Sequence, residues 1–260
     1  MSSSTSKARL FLAIGALALL TVACGDDDET TSTTAAAAET TAAVETTTAA
    51  AETTAPVAET TVPATEMPVM YEGELLGTFA ITPGDCAGGT ATGSYFRMVM
   101  AGGTVEAGPF IDNADSTCAD VTYTLLQPGA DSGLMTGEAQ VAPDPAFDAT
   151  GAGLADLIFL PVKFFGGAFA GAMDAAEAVP TITATDGVLS GDLSAFTAYW
   201  GGLLFNQGAP KPDGSGETVS GTIDPDTGAY SLDWTSLIAG GSFDGFTGVW
   251  HLEGTFTPAG

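Results

Sequence analysis

Positive charge is nearly missing from this chain: five Lys and Arg stand against 32 Asp and Glu in 260 residues. All 32 acids follow Cys24, whereas Lys7 and Arg9 precede it, so the part from Cys24 onward carries about −29. Nucleic-acid binding relies on Lys and Arg to displace counterions from phosphates, and that supply is absent. Docking on an anionic bilayer surface is excluded on the same ground. Such a balance suits solubility, salt tolerance and occupancy by cations. Histidine is equally scarce. The only one, His251, lies between Trp250 and Leu252 and reads as a strand residue on the less apolar face. A Ser/His/Asp site would need this residue, and no nucleophile elbow, zinc-protease helix or P-loop accompanies it. Cysteine numbers three, with no CxxC or Cys/His spacing for zinc. No apolar run reaches the roughly 20 residues of a membrane-spanning helix.

At the N-terminus, Lys7 and Arg9 precede an apolar stretch of about 11 residues, Leu10 to Leu20, the length of a secretory signal core. Thr21-Val22-Ala23-Cys24 follows, and then the abrupt acid of Gly25-Asp26-Asp27-Asp28-Glu29. The pattern resembles a bacterial lipoprotein signal peptide, with Thr21 where Leu is usual. The resemblance implies loss of residues 1–23 and lipidation (palmitate) of Cys24. It also implies a tether to the outer face of the cytoplasmic membrane, stable because several acyl chains are attached. An ordinary signal peptide cleaved nearby is the alternative. With Cys24 lipidated, Cys86 and Cys118 remain as one pair, 32 residues apart, free to oxidise outside the cytoplasm. Two buried free thiols are the other reading.

From Cys24 to Val69 the chain is Thr, Ala, Glu and some Pro, with no Leu, Ile or aromatic residue. It buries too little apolar area to offset the entropy of ordering, which predicts a disordered stalk. Glu45, Glu52, Glu59 and Glu66 recur at heptad spacing, but the apolar a and d positions of a coiled coil are missing. A flexible stalk of this length reaches roughly 35–40 Å, and its Thr and Pro suit O-glycosylation. Together with Cys24-Gly25-Asp26-Asp27-Asp28, it is similar to lipoproteins of high-GC Gram-positive bacteria.

Residues 70–260 hold all the tryptophans and enough chain for one core. Short runs rich in Thr, Val, Phe, Tyr and Trp, bounded by Gly, Pro and Asp, predict strands at Leu75–Thr82, Ser94–Met100, Val121–Gln127, Leu157–Phe165 and Thr181–Thr185. The same pattern predicts strands at Leu193–Trp200, Thr218–Ile223, Ala229–Trp234 and Thr247–Phe256. Asp224-Pro225-Asp226-Thr227-Gly228 reads as a hairpin turn. The expected class is all-β: an antiparallel, jelly-roll-like sandwich or barrel-like domain. Gly166–Val179 reads as a short helix or a Gly-rich connection. Gly pairs at 166–167, 201–202 and 240–241, each followed by a Phe, hint weakly at a repeat. The runs Gly93–Met98, Leu193–Trp200, Tyr230–Trp234 and Phe246–Thr255 resemble an uncharacterised β-rich domain of exported, surface-sorted bacterial proteins. That resemblance implies surface display and carries no activity or site residues.

Three chemistries have residues to offer. Plentiful carboxylates permit a pair acting as acid and base on a glycosidic bond. Asp224 and Asp226, with Asp233 further on, suggest a calcium site, as do Asp112, Asn113 and Asp115, although neither set completes a calcium loop. Tyr199, Trp200, Trp234 and Trp250 suit a platform for a sugar ring, or else a core. The expected function is a non-catalytic binding or structural module for an envelope polysaccharide or protein, without a cofactor except possible calcium. Extracytoplasmic glycan hydrolysis is the alternative.

Overall fold

The computed structural model describes residues 71–260; Cys24, the preceding segment 1–23 and the linker 24–69 lie outside the described residues. The described part is all-β and antiparallel. In chain order the strands are β1 Gly73–Glu74, β2 Gly77–Ile81, β3 Tyr95–Thr104, β4 Gly108–Phe110, β5 Thr124–Leu125, β6 Gly133–Thr136, β7 Val162–Phe164 and β8 Gly167–Met173. They continue as β9 Thr181–Thr185, β10 Val188–Asp192, β11 Phe196–Trp200, β12 Leu203–Asn206, β13 Val219–Ile223, β14 Ala229–Leu237 and β15 Thr247–Pro258. Eleven of them form one curled sheet in the order β1-β9-β10-β13-β14-β15-β2-β6, with β3 also on β15 and carrying β4 and β5. The other four form a second sheet, β12-β11-β8-β7.

β15 organises the larger sheet. One edge pairs with β14 along its length, from Leu237↔Thr247 to Ala229↔Thr255. The other edge changes partner part-way. Thr247–His251 pairs with β3, and Gly254–Pro258 pairs with β2. The sheet therefore forks beside Leu252 and Glu253. Period-two alternation decides which side chains face the second sheet. In β14, Tyr230, Leu232, Trp234 and Ser236 point in, while Ser231, Asp233, Thr235 and Leu237 point out.

The core lies where the two sheets meet. Phe96 of β3 approaches Phe169 of β8 at 5.0 Å, and Trp250 of β15 meets Phe196 of β11 edge-on at 4.8 Å. Trp250, Phe79, Phe96, Phe159 and Phe196 are essentially inaccessible to solvent. Each such side chain contributes roughly 1.5–3 kcal/mol through burial, and the aromatic pairs add to that through their edge-to-face geometry.

Two expectations need correction. Gly166–Val179 is neither helix nor mere connection, because Gly167–Met173 is strand β8, entered through the turn at Phe165 and Gly166. Its last five residues are all buried. Phe169 and Met173 join the main core, and Ala170 and Ala172 pack with Tyr199 beneath Phe147. A strand covered on both faces loses its alternation, and small Ala and Gly residues fit the narrow gap despite weak strand propensity. In Leu157–Phe165 only Ile158, Phe159 and Phe164 are buried, Leu160, Pro161, Lys163 and Phe165 are exposed, and only Val162–Phe164 is a strand. Pro161 stands just before that strand and has no N–H for a ladder. Cys86 and Cys118 form a disulfide, Cα to Cα 5.5 Å, which ties the turn after β2 to the loop between β4 and β5.

Candidate groove and histidine clamp on the sheet face

The aromatic residues named as a sugar platform do not make one. Trp250 is fully buried, Trp234 and Tyr199 nearly so, and Trp200 is half-buried with its indole N–H donated to the Phe164 carbonyl at 2.7 Å. Trp234 and Trp250 lie parallel at 5.6 Å inside the core. Their inward direction follows from alternation on β14 and β15. Both indoles donate to Gln207: Trp234 to its carbonyl at 3.0 Å and Trp250 to Oε1 at 3.3 Å. Gln207, itself buried, satisfies two indole N–H groups that water does not reach.

Of the acids named for calcium, Asp224, Asp233 and Asp115 hold other partners, and Asp226 enters the turn through its backbone N–H. Asp224 Oδ1 accepts the backbone N–H of Asp226 at 2.9 Å and of Thr227 at 2.8 Å, building the hairpin turn between β13 and β14. Those hydrogen bonds hold its carboxyl below the usual aspartate range. Asp233 sits far along the ladder from that turn, opposite Ser220 and His251. Asn113 is buried and donates to Thr124 Oγ1 and the Lys163 carbonyl, while Asp115 Oδ2 accepts the Gly166 N–H. Among the described residues, no group of three or more His, Cys, Asp or Glu side chains is arranged to hold a metal ion.

What the sheet face does carry is a groove of mixed lining, polar groups set among apolar surface. Its larger part encloses about 780 Å³ between the Lys211–Glu217 loop and the ends of β14 and β15. Asn206, Lys211, Asp213, Ser215, Glu217, Thr235, Leu237 and Thr247 line it. An adjoining part of about 230 Å³ shares Glu217 and Thr235 and continues past Ser220, Asp233, Val249 and Val105. The loop that walls the groove is fixed locally. Lys211 N–H bonds the Ser215 carbonyl, Gly214 N–H returns to the Lys211 carbonyl, and Asp213 Oδ1 accepts the Ser215 N–H. Lys211 lies half-buried with its Nζ donated to the Asn206 carbonyl. Burial pushes its pKa down, and the charge of Asp213 partly opposes the shift.

At the end of the groove, Asp233 holds the lone histidine. His251 Nδ1 lies 2.7 Å from Asp233 Oδ1, and Nε2 lies 3.4 Å from Glu253 Oε2. The ring stacks on Tyr95 at 4.8 Å, and Tyr123 meets Tyr95 edge-on at 4.9 Å. Burial alone lowers the histidine pKa, but hydrogen bonds and charges from Asp233 and Glu253 outweigh it and raise the pKa above its ordinary value. With both ring nitrogens facing carboxylates, the imidazole offers no free lone pair to a substrate.

Glu253 also closes the fork. Its Oε1 accepts the Gly93 N–H at 2.8 Å, while its backbone N–H and carbonyl meet the Oγ of the fully buried Ser94 at 3.0 and 3.2 Å. Two glycines are required there: a Cβ on Gly93 would meet the Pro83 carbonyl oxygen at 2.1 Å, and one on Gly254 the Ala80 carbonyl oxygen at 1.8 Å. Period-two spacing on β15 signals that His251 and Glu253 share a face. That Asp233 lies opposite His251 depends on register, which sequence alone left open.

No family model, curated protein or solved structure matches this chain. The groove and the clamp must therefore be read on their own chemistry.

Proposed function

We propose that this is an extracytoplasmic lipoprotein, anchored through lipid on Cys24, whose β domain binds a neutral envelope polysaccharide in the sheet-face groove. The observation that carries the reading is the groove's lining. Hydroxyls (Ser215, Ser220, Thr235, Thr247), carboxylates (Asp213, Glu217, Asp233), the Asn206 amide and the Lys211 amine alternate with the aliphatic faces of Val105, Val249 and Leu237. Sugars present hydroxyls of both donor and acceptor character above patches of C–H, and this surface complements both. The large negative charge disfavours a polyanionic polymer and leaves a neutral one. The exported, surface-displayed class suggested by the sequence supports the same location.

Two acids in the narrower part, Glu217 and Asp233, are the observation that favours the second reading, a glycan hydrolase using paired carboxylates. Asp233 is already engaged by His251 at 2.7 Å, which favours binding over turnover. A neutral-glycan array probed with detergent-extracted mature protein, with and without calcium, tests the proposal. Saturable binding that Lys211→Ala and Glu217→Ala each weaken at least about tenfold supports it, equivalent to about 1.4 kcal/mol. A blank array refutes it, and release of reducing ends from a bound glycan moves the assignment to the hydrolase.

A further inference from the structure

We propose that His251 is a proton-operated latch at the fork of the main sheet: charged, its ring holds Glu253 against Gly93; neutral, it releases Glu253 and loosens the turn over residues 83–94. The asymmetry of its two contacts carries the argument. A charged ring donates from both nitrogens, to Asp233 at 2.7 Å and to Glu253 at 3.4 Å. A neutral ring has one N–H, and the shorter, better contact to Asp233 keeps it. The Nε2 lone pair then faces Glu253 Oε2, an acceptor against an acceptor. Stacking on Tyr95 restrains the ring from turning away, so the carboxylate is the partner that moves.

The consequence reaches the backbone because Glu253 bonds Gly93 through its other oxygen at 2.8 Å. Gly93 lies in the turn joining β2 to β3, the two strands that part at the fork, and the same turn contains Cys86. Charged and titratable groups reach the ring and its stacking partner from each element beside them. Asp233 comes from β14 and Glu253 from β15. Tyr95 and Arg97 come from β3, and Tyr123 from the segment before β5. Arg97 is itself occupied, lying between the rings of Phe110 and Tyr123 and bonded to Thr122. Tyr95 is pushed above the ordinary tyrosine range, first by burial, and stays neutral over the range that matters. The direction of the histidine shift agrees with a charged resting state in mildly acid conditions. The latch does not require the groove to hold a ligand.

Because His251 is the only histidine, NMR of ring-labelled mature protein yields one imidazole titration without assignment. Hydrogen exchange of the peptide covering residues 83–94, corrected for the intrinsic pH dependence of exchange, is followed from pH 5 to 9 on the same sample. Protection should fall at least about threefold with the midpoint of the ring. His251→Gln should be pH-independent and weakly protected. Glu253→Gln should lose the step even if His251→Gln fails to fold. Exchange that is flat through the ring's midpoint, or a step that survives in either variant, overturns the proposal.

Discussion

Replacing Ser94 by Ala removes one hydroxyl from the point where β2 and β3 part from β15. The Ser94 Oγ accepts the Glu253 N–H at 3.0 Å and donates to the Glu253 carbonyl at 3.2 Å. The carbonyl keeps a second partner, the Thr82 N–H at 2.7 Å. The Glu253 N–H has no other, and a buried donor left without an acceptor costs about 1–3 kcal/mol. Taking about 2 kcal/mol, and about 2–4 °C per kcal/mol for a domain of this size, Ser94→Ala should lower Tm by about 4–8 °C. Differential scanning calorimetry at pH 6 measures it. Thr222→Ala is the control: its Oγ1 meets Ser231 Oγ at 3.3 Å on the exposed face, where surface changes stay within about 0.5 kcal/mol. If Ser94→Ala matches that control, the fork is not sealed by this hydroxyl and the Glu253 N–H finds another acceptor.

The double change Cys86→Ser with Cys118→Ser opens a loop of 32 residues and should cost about 3–4 kcal/mol in the chain-entropy model; equal urea midpoints with and without the bond would refute it. Trp250→Ala empties the centre of the core and should cost about 3–5 kcal/mol, read as a shift in denaturant midpoint at constant slope. Stability should peak in mildly acid solution. His251, with its folded pKa raised, contributes fully below about pH 6.5 and loses that contribution as pH rises through its folded value. Asp120, Asp148, Asp213 and Asp224, with theirs lowered, contribute fully above about pH 4 and lose it as pH falls through their folded values. A Tm that rises steadily from pH 5 to 9 would contradict the first sign. Cys24→Ala should move the protein from the membrane to the soluble fraction, and unchanged fractionation would count against lipidation.

Strand class was legible in most strands with one wet face, although β10, with Leu189 buried between exposed Val188 and Ser190, went unread. β14 alternates cleanly, and Tyr230–Trp234 could be read without coordinates. It failed at β8, which is covered on both sides and whose Ala and Gly residues look like a turn or helix, whereas β11, buried almost throughout, was legible from its aromatic residues. β6 and β12, four residues each, carry too few side chains to show a period. The site was less legible than the fold. Trp234 and Trp250 were named for the right elements, but whether an alternating aromatic points in or out depends on which face finds the second sheet. Gln207, the acceptor for both indoles, lies in a connection with no pattern to mark it. Asp233 and His251 are 18 residues apart in sequence and meet only through the β14–β15 register.

The acidity of the domain has a physical reading that the composition conceals. Asp85, Asp120, Asp148, Asp174, Asp192, Asp213, Asp224 and Asp244 each accept a backbone N–H from a residue one to four positions away. Six of them, all but Asp85 and Asp244, bond the N–H two residues on and are Asx-type turns, the device by which a short polar side chain substitutes for a backbone acceptor. A fold built from many short antiparallel strands needs many such turns, so part of the aspartate content is architecture. That weakens any inference from acid-rich spacing to a cation site, because an oxygen spent on the turn is less available to a metal. Glu217 builds no such turn and lines the groove, where its carboxylate can meet a ligand, whereas Asp233, also on the groove, is held by His251 at 2.7 Å.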